Sequence, residues 1–292
     1  MRIVCFLIVF CFCLFTCCFA LEWRRLHEQA DRMTPKELSS SRKIDPSSIA
    51  DLYVMGLVYL NAHQDQEAEE AFIKMKQIDP ACLEAEWGRA EVLRTRHDPT
   101  AEGILRKIIQ KDPEFLPTYV SLAYIEYLKG NFSAAVQLVS KVVRKGQDGS
   151  DLAIYVRALC LYAGSKGMLA HYGKPFSKVV AGLSVKKNLD RAEKLQPNSA
   201  IVLFGLGSYY LLAPALAGGD LEKAEVYLKK AIKVDPLFAN PYVRLAQLYK
   251  TRGMVSRYDE YLKKALEIDP KCEIALDIKS GRCRFICLEE SQ

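Results

Sequence analysis

Residues Lys223–Pro236 read KAEVYLKKAIKVDP, and this stretch decides the fold. Ala224, Leu228 and Ala231 lie on one face of a helix. Pro236 ends the helix, because proline has no amide hydrogen and forces the residue before it out of the helical region. Consecutive stops lie 33 or 34 residues apart except across the middle of the chain, and the other four are Asp45-Pro46, Asp79-Pro80, Asp112-Pro113 and Asp269-Pro270. A period of this length predicts an all-α fold of stacked helix pairs.

The composition is that of a folded protein. Apolar residues make up 50% of the 292 residues and charged residues 26%, which argues against disorder. The formal net charge of +6 is spread over many helix faces and is not gathered into a basic run. Nucleic acid is therefore not an expected partner.

The first twenty residues have the pattern of a secretory signal peptide. Arg2 precedes an apolar run at 3–20, and charged residues follow. The small residue Ala20 favours cleavage directly after it. Two alternatives stay open, namely lipid attachment at Cys17 or Cys18 and an uncleaved membrane span. Each of them predicts an exported chain that is periplasmic or faces outward on a membrane.

Five of the ten cysteines lie in this leader, and the others are Cys82, Cys160, Cys272, Cys283 and Cys287. An odd number permits at most two disulfides after the leader is removed. Cys283 and Cys287 have no second pair of ligands beside them to complete a tetrahedral zinc site. One local disulfide, or free thiols that pack as small apolar side chains, is favoured over a metal, and no cofactor is predicted.

Two segments resemble the tetratricopeptide repeat. In 49–82 the pattern of that family is carried by Leu52, Met55-Gly56, Tyr59, Ala68, Phe72 and Pro80. In 239–272 it is carried by Tyr242, Leu245-Ala246, Tyr249, Leu262, Ala265 and Pro270, with Tyr258 where alanine is usual. The resemblance implies a right-handed α-solenoid of about six helix hairpins and a C-terminal capping helix, in which stacking buries each apolar face. Small residues such as Gly56 are expected to let paired helices approach closely.

The predicted organisation is a signal peptide at 1–20, a helix and connector at 21–48, the solenoid at 49–281 and a loose tail at 282–292. The predicted repeats are 49–82, 83–115, 116–149, 150–198, 199–238 and 239–272, followed by the cap at 273–281. About fifteen extra residues separate the helices of 150–198, and about five separate those of 199–238. The larger insertion is expected to form a longer helix or a protruding loop.

The sequence contains no recognisable catalytic motif. A phosphate-binding glycine loop and the metalloprotease pattern His-Glu-x-x-His are both missing from it. A catalytic site built by the insertion at 164–175 would have only His171, Tyr172 and Lys174 as reactive groups. A non-enzymatic protein is therefore predicted.

An aromatic stripe is predicted on the first helix of each repeat, on the side that lines the inner surface of a solenoid. Aromatic rings bury a large area and can keep a polar tip, which suits a partner protein or an apolar ligand. Any single ring could instead pack only against neighbouring helices, but a groove is favoured for the set. The predicted binding residues are Tyr53, Trp87, Tyr124, Tyr127, Tyr155, Tyr162 and Phe204.

A second resemblance concerns the segment Leu212–Asp220, which reads LAPALAGGD. With the repeat helix after it, this segment is similar to the periplasmic T component of tripartite ATP-independent (TRAP) transporters. That resemblance implies an exported, often lipid-anchored helical-repeat protein. Such a protein associates with the substrate-binding subunit of the transporter and has a channel or cleft for a hydrophobic ligand.

The sequence as a whole predicts an exported, non-enzymatic scaffold that binds a partner protein or an apolar ligand in the aromatic groove. The accessory subunit of a transporter is the narrower form of this hypothesis. The alternative is an envelope assembly scaffold that binds its partners through other faces, and its binding would not depend on the rings.

Overall fold

The computed structural model describes residues 24–41, 45, 47–172, 175–286 and 288. The predicted signal peptide at 1–20 lies outside these residues. A search of the described residues finds no helix that is both long and apolar enough to cross a bilayer.

The described part of the chain is helical throughout and contains no strand. Residues 24–31 are helical. The helices that follow are α1 (Pro35–Ser41), α2 (Ile49–Asn61), α3 (Asp65–Ile78), α4 (Leu83–Thr95), α5 (Thr100–Lys111), α6 (Pro117–Leu128), α7 (Phe132–Lys145), α8 (Leu152–Tyr172), α9 (Pro175–Leu195), α10 (Ala200–Leu212), α11 (Leu221–Val234), α12 (Ala239–Thr251), α13 (Val255–Ile268) and α14 (Glu273–Lys279). The predicted all-helical repeat fold is confirmed.

Proline ends the helix at each Asp-Pro dipeptide, and the aspartate before it forms a hydrogen bond that shapes the following turn. The Asp79 carboxylate accepts a hydrogen bond of 2.9 Å from the amide of Ala81, two residues further on. The same bond recurs at Asp112, Asp235 and Asp269, at 2.8 to 3.1 Å. An aspartate that bonds the backbone two residues ahead closes a tight turn. The dipeptide therefore stops one helix and turns the chain toward the next.

The residues form two compact units. One comprises the described residues up to Thr118 together with Gln147–Ala153, and the other comprises Tyr119–Gly146 and the described residues from Ile154 onward. In the first unit α2 packs on α3, α3 on α4 and α4 on α5. In the second unit α10 packs on α11, α11 on α12 and α12 on α13.

The extra residues at 150–198 lengthen both helices of that pair. α8 and α9 have 21 residues each, whereas the helices of the repeat at 49–82 have 13 and 14. The smaller insertion forms a short 3-10 turn, Ala215–Ala217, before α11. A Cβ atom at Gly219 would lie 1.9 Å from the carbonyl oxygen of Ala213, so this turn requires glycine there.

Close approach in the first unit depends on two glycines that face the same ring. A Cβ atom at Gly56 on α2 would lie 2.6 Å from the Phe72 ring, and one at Gly88 on α4 would lie 2.4 Å from it. Phe72 on α3 is fully buried between them. The Phe72 ring of α3 therefore packs directly against the backbone of α2 and α4, as expected for the small residues of the repeat.

Replacing Gly88 with alanine tests this contact. At an exposed helix position, alanine stabilises the helix by about 1 kcal/mol relative to glycine. At Gly88, however, the added methyl group overpacks against Phe72, and we expect it to lower the free energy of unfolding by about 1–3 kcal/mol. Urea denaturation followed by circular dichroism measures the change.

Gly103→Ala on α5 is the matched control, because a Cβ atom there meets no atom within 4 Å. This control should stabilise the protein slightly. In a Phe72→Leu background the cost of Gly88→Ala should shrink, since the side chain that it strikes is smaller. Equal effects of Gly88→Ala and Gly103→Ala on the free energy of unfolding would show that Gly88 is not needed for the close contact with Phe72.

Candidate functional site

The structure places the seven predicted binding residues in two classes. Tyr53, Trp87 and Tyr155 are buried, with exposed fractions of 0%, 2% and 0%. These three rings belong to the core in this conformation. The remaining four residues are half-buried, namely Tyr124, Tyr127, Tyr162 and Phe204. Their role in binding stays a prediction.

In the first unit the chain's own N-terminal segment covers two of the predicted rings. His27, in the helical stretch 24–31, stacks on the Trp87 ring with centroids 5.7 Å apart. Its Nε2 atom hydrogen-bonds the hydroxyl of Tyr53. Its Nδ1 atom lies 3.1 Å from the Asp151 carboxylate. Burial, with a smaller contribution from nearby carboxylates, raises the pKa of Tyr53 well above its usual value, so that its hydroxyl stays neutral.

In the second unit several predicted rings contact side chains of their own neighbourhood. The Arg191 guanidinium lies 5.1 Å from the centre of the Tyr155 ring. The Lys166 ammonium lies 5.6 Å from the centre of the Tyr162 ring. The ring of Phe204 meets that of Phe238 edge-on, at 5.2 Å. These contacts are intramolecular packing and do not by themselves indicate a ligand.

Tyr127 is different, because it contacts the C-terminal tail. The tail was expected to be loose, and this prediction is wrong for residues 282–286. Phe285 is fully buried and Ile286 is 6% exposed. The Phe285 ring stacks on Tyr127 at 5.6 Å and meets Phe132 edge-on at 6.3 Å. Phe285 is therefore buried against the aromatic side chains of α6 and α7.

Side chains from two helices, α12 and α14, hold the backbone of Phe285 and Ile286. Arg244 on α12 donates from Nη1 to the carbonyl of Phe285 at 3.1 Å. Gln247, one turn further, donates from Nε2 to the carbonyl of Ile286 at 2.5 Å. The Phe285 amide donates to the Asp277 carboxylate on α14 at 2.9 Å.

The edge of this site is formed by Tyr172 at the end of α8. Its hydroxyl lies 3.0 Å and 2.8 Å from the carbonyl oxygens of Cys283 and Arg284. Its ring stacks on Phe132 at 6.4 Å, nearly parallel. We call this surface the tail-binding groove and define it by Tyr127, Phe132, Tyr172, Arg244 and Gln247.

Arg244 is the unusual member of the groove. The side chain is buried, with an exposed fraction of 2%. Burial lowers the pKa of its guanidinium, although nearby Tyr127 and Cys272 oppose the shift. Its acceptors are the side-chain oxygen of Gln247, at 2.6 Å, and the carbonyl of Phe285, and its Nε atom has no acceptor among the described residues.

The sequence contained a partial signal for this groove. Gln247 lies on the first helix of its repeat at 239–272, and the first helix of each repeat was predicted to line the inner surface. Arg244 lies between the apolar residues Val243 and Leu245 in the sequence, but adjacent residues point to different sides of a helix, so its burial could not be predicted from them. The tail offered a run of apolar residues, but no periodicity connected it to α6 or α12.

Cys283 forms a disulfide whose partner is not among the described cysteines, since Cys82, Cys160 and Cys272 are free. Burial is the main factor that raises the pKa of each free thiol, to about 11 for Cys82 and Cys272 and about 12 for Cys160. These thiols therefore stay protonated at neutral pH. The described residues contain no cluster of side chains that could hold a metal ion.

Comparison with known proteins identifies the repeat. Residues 215–236 and 239–272 match the family model of the tetratricopeptide repeat. The chain is also similar to Superkiller protein 3 of Schizosaccharomyces pombe, with 25% identity over 239 residues. That match covers 75% of this chain, which spans only 15% of the length of the relative.

Solved structures show the same fold at low identity. A human IFIT1 dimer with PPP-AAAA aligns with a TM-score of 0.54 and 18% identity, covering 79% of this chain and 53% of that one. The APC/C hetero-tetramer Cut9-Hcn1 aligns with a TM-score of 0.52 and 15% identity, and the match covers 87% of this chain and 46% of that one. A tetratricopeptide repeat protein from Parabacteroides merdae aligns with a TM-score of 0.50 and 14% identity, covering 89% and 98%. Residues 215–236 and 239–272 thus match the tetratricopeptide repeat, within an all-helical repeat fold.

The buried contact of the N-terminal segment yields a prediction for the first unit. His27→Ala would leave the Tyr53 hydroxyl and the Asp151 carboxylate with one partner fewer, and it would open space beside Trp87. Removing a hydrogen-bond partner from a buried polar group costs about 1–3 kcal/mol. We expect a loss of about 2–3 kcal/mol in the free energy of unfolding, measured by urea denaturation.

Glu28→Ala is the control, because this neighbour of His27 forms only an exposed pair with Arg32. Such pairs contribute about 0–1 kcal/mol. A cost for His27→Ala no larger than that of the control would show that the N-terminal segment is not anchored by this network.

Proposed function

We propose that the protein is a non-enzymatic scaffold that binds a protein partner by taking a short non-helical segment of that partner into the tail-binding groove. One observation carries the proposal. The groove already holds such a segment, residues 283–286, through donors that reach its main-chain carbonyls.

The chemistry of the groove suits a peptide. Main-chain carbonyls are present in every peptide, so Arg244 and Gln247 supply affinity that does not depend on sequence. Tyr127 and Phe132 add selectivity for an aromatic side chain, since ring pairs at these distances attract each other beyond their buried area. Tetratricopeptide repeats, which the chain carries, present the helix surfaces on which such a groove is built.

The narrower form of this proposal is an exported scaffold. It would be cleaved after Ala20 or lipidated at Cys17 or Cys18, and it would act as a TRAP-transporter T component beside a substrate-binding subunit. The leader pattern and the segment Leu212–Asp220 support this form. Neighbouring genes for a substrate-binding subunit and a large membrane permease are expected if it is correct, and a genomic context without them would count against it.

A peptide selection tests the binding proposal itself. A library of displayed 12-residue peptides is panned on the full chain, both wild type and Phe285→Ala. We expect enrichment of peptides with an aromatic residue followed by an aliphatic one. Their affinity should fall about 10-fold or more in the double variant Arg244→Met, Gln247→Ala, because two hydrogen bonds to the peptide backbone are lost.

Lys263→Ala on α13 is the control, since this exposed side chain lies outside the groove. Circular dichroism establishes that each variant keeps its helices. Enriched peptides that bind the double variant and the wild type equally would contradict the groove and favour the alternative, an assembly scaffold that uses other faces. Failure to enrich any peptide on either chain would count against peptide binding altogether.

A further inference from the structure

We propose that the C-terminal segment Cys283–Ile286 is a built-in ligand of the tail-binding groove. It fills the groove in the resting protein, and it is displaced when a partner segment with an aromatic residue followed by an aliphatic one binds. This inference rests on the proposed function and adds two things to it, namely the chemistry of the partner segment and a competitor within the chain.

The first step of the argument is the fit of the side chains. Phe285 is fully buried and Ile286 is 6% exposed, and Leu288 packs partly buried against the same hydrophobic core. The aromatic side chain is received by the rings of Tyr127 and Phe132. A partner segment needs the same order of residue types to fill the same space.

The second step is the nature of the polar contacts. The bonds from Arg244, Gln247 and Tyr172 all end on main-chain carbonyls of the tail. None of them reads a polar side chain. The same donors can therefore serve the backbone of another chain without any change in the groove.

The third step is that the tail fits imperfectly. Cys283 has a φ angle of +57° and Ile286 one of +67°. This left-handed region is uncommon for residues other than glycine and is a real outlier for a β-branched residue such as Ile286. A tethered segment held in strained backbone leaves part of the binding free energy of the groove unused.

The fourth step concerns the donor that the tail does not satisfy. The Nε atom of the buried Arg244 has no acceptor among the described residues, and in that part of the chain no carboxylate forms an ion pair with it. A partner segment that brings one more oxygen, above all a carboxylate, gains an interaction that Phe285 and Ile286 cannot offer. Displacement by such a segment is therefore favoured over displacement by a copy of Cys283–Ile286.

The tether sets how strong the competition is. Only a few residues separate the end of α14, at Lys279, from Phe285. A short connection gives a tethered ligand an effective concentration in about the millimolar range. A free peptide with the same intrinsic affinity for the groove therefore binds the wild-type chain weakly, unless a substitution weakens the binding of the tail.

The test uses the full chain under non-reducing conditions. The probe is a fluorescent peptide with the sequence of Gly281–Leu288, in which Cys283→Ser and Cys287→Ser prevent disulfide exchange. Fluorescence anisotropy measures its binding to the wild type and to the tail variants Phe285→Leu and Phe285→Ala. We expect affinity to rise through this series, by about 20-fold or more for Phe285→Ala.

Three controls accompany the series. Lys279→Ala, at an exposed position in α14, should bind the probe as weakly as the wild type. A probe that itself carries Phe285→Ala should not bind any chain. Arg244→Met added to Phe285→Ala should remove most of the gained affinity.

The outcomes separate this inference from the proposed function. If peptides selected by display need Arg244 but bind wild type and Phe285→Ala equally, the groove binds peptides and the tail is not their competitor. If Phe285→Ala lowers the melting temperature without any gain in probe binding, the tail is a structural cap and the inference is overturned. If Phe285→Ala does not fold, Phe285→Leu is used for the test instead. The inference is then overturned if Phe285→Leu binds the probe with the same affinity as the wild type.

Discussion

Close approach between paired helices is the constraint on which the packing depends. In the first unit the Phe72 ring fills the space between Gly56 on one helix and Gly88 on another, where a single added methyl group would lie within 2.6 Å of the ring. Large and small residues are therefore matched across neighbouring helices. An isolated helix of 13 or 14 residues is marginal in water, so each pair is stable only because the next pair covers its apolar face.

A repeat that depends on its neighbours leaves apolar surface wherever no further repeat follows, and terminal segments cover such surface in each unit. In the first unit, His27 covers Tyr53 and Trp87. In the second, Phe285 covers Tyr127. Three rings predicted to receive a ligand thus receive the protein's own chain. A ring is available to a partner only if the segment that covers it can leave, and the two covering segments differ in this respect. His27 makes a buried polar network through its side chain, whereas the tail is held largely through its main chain.

The sequence was informative wherever the relevant interactions are local. Asp-Pro dipeptides predicted the helix ends because proline has no amide hydrogen and disfavours the helical region for the residue before it, and the period of 33 or 34 residues predicted the stacked helix pairs. It was less informative about burial along the aromatic stripe, since Tyr155 and Tyr162 have the same periodicity although only Tyr155 is fully buried. It failed for the tail, where the contacts between Phe285 and Tyr127 join positions more than 150 residues apart. Periodicity carries no information about such pairs.

Arg244 bears on whether the groove suits a peptide or an apolar small molecule, both of which the aromatic stripe allowed. A buried guanidinium loses its hydration, and an apolar side chain of similar volume often gives equal or greater stability at such a position. The proposed recognition of a peptide backbone gives a reason for a buried arginine at this position. An occupant without carbonyl oxygens would leave Arg244 Nη1 and Gln247 Nε2 without the acceptors that Phe285 and Ile286 provide. Stranding a buried donor costs about 1–3 kcal/mol, and more when it is charged. Under the proposed function, the groove would therefore discriminate against hydrocarbon ligands and select for a polypeptide backbone that carries apolar side chains.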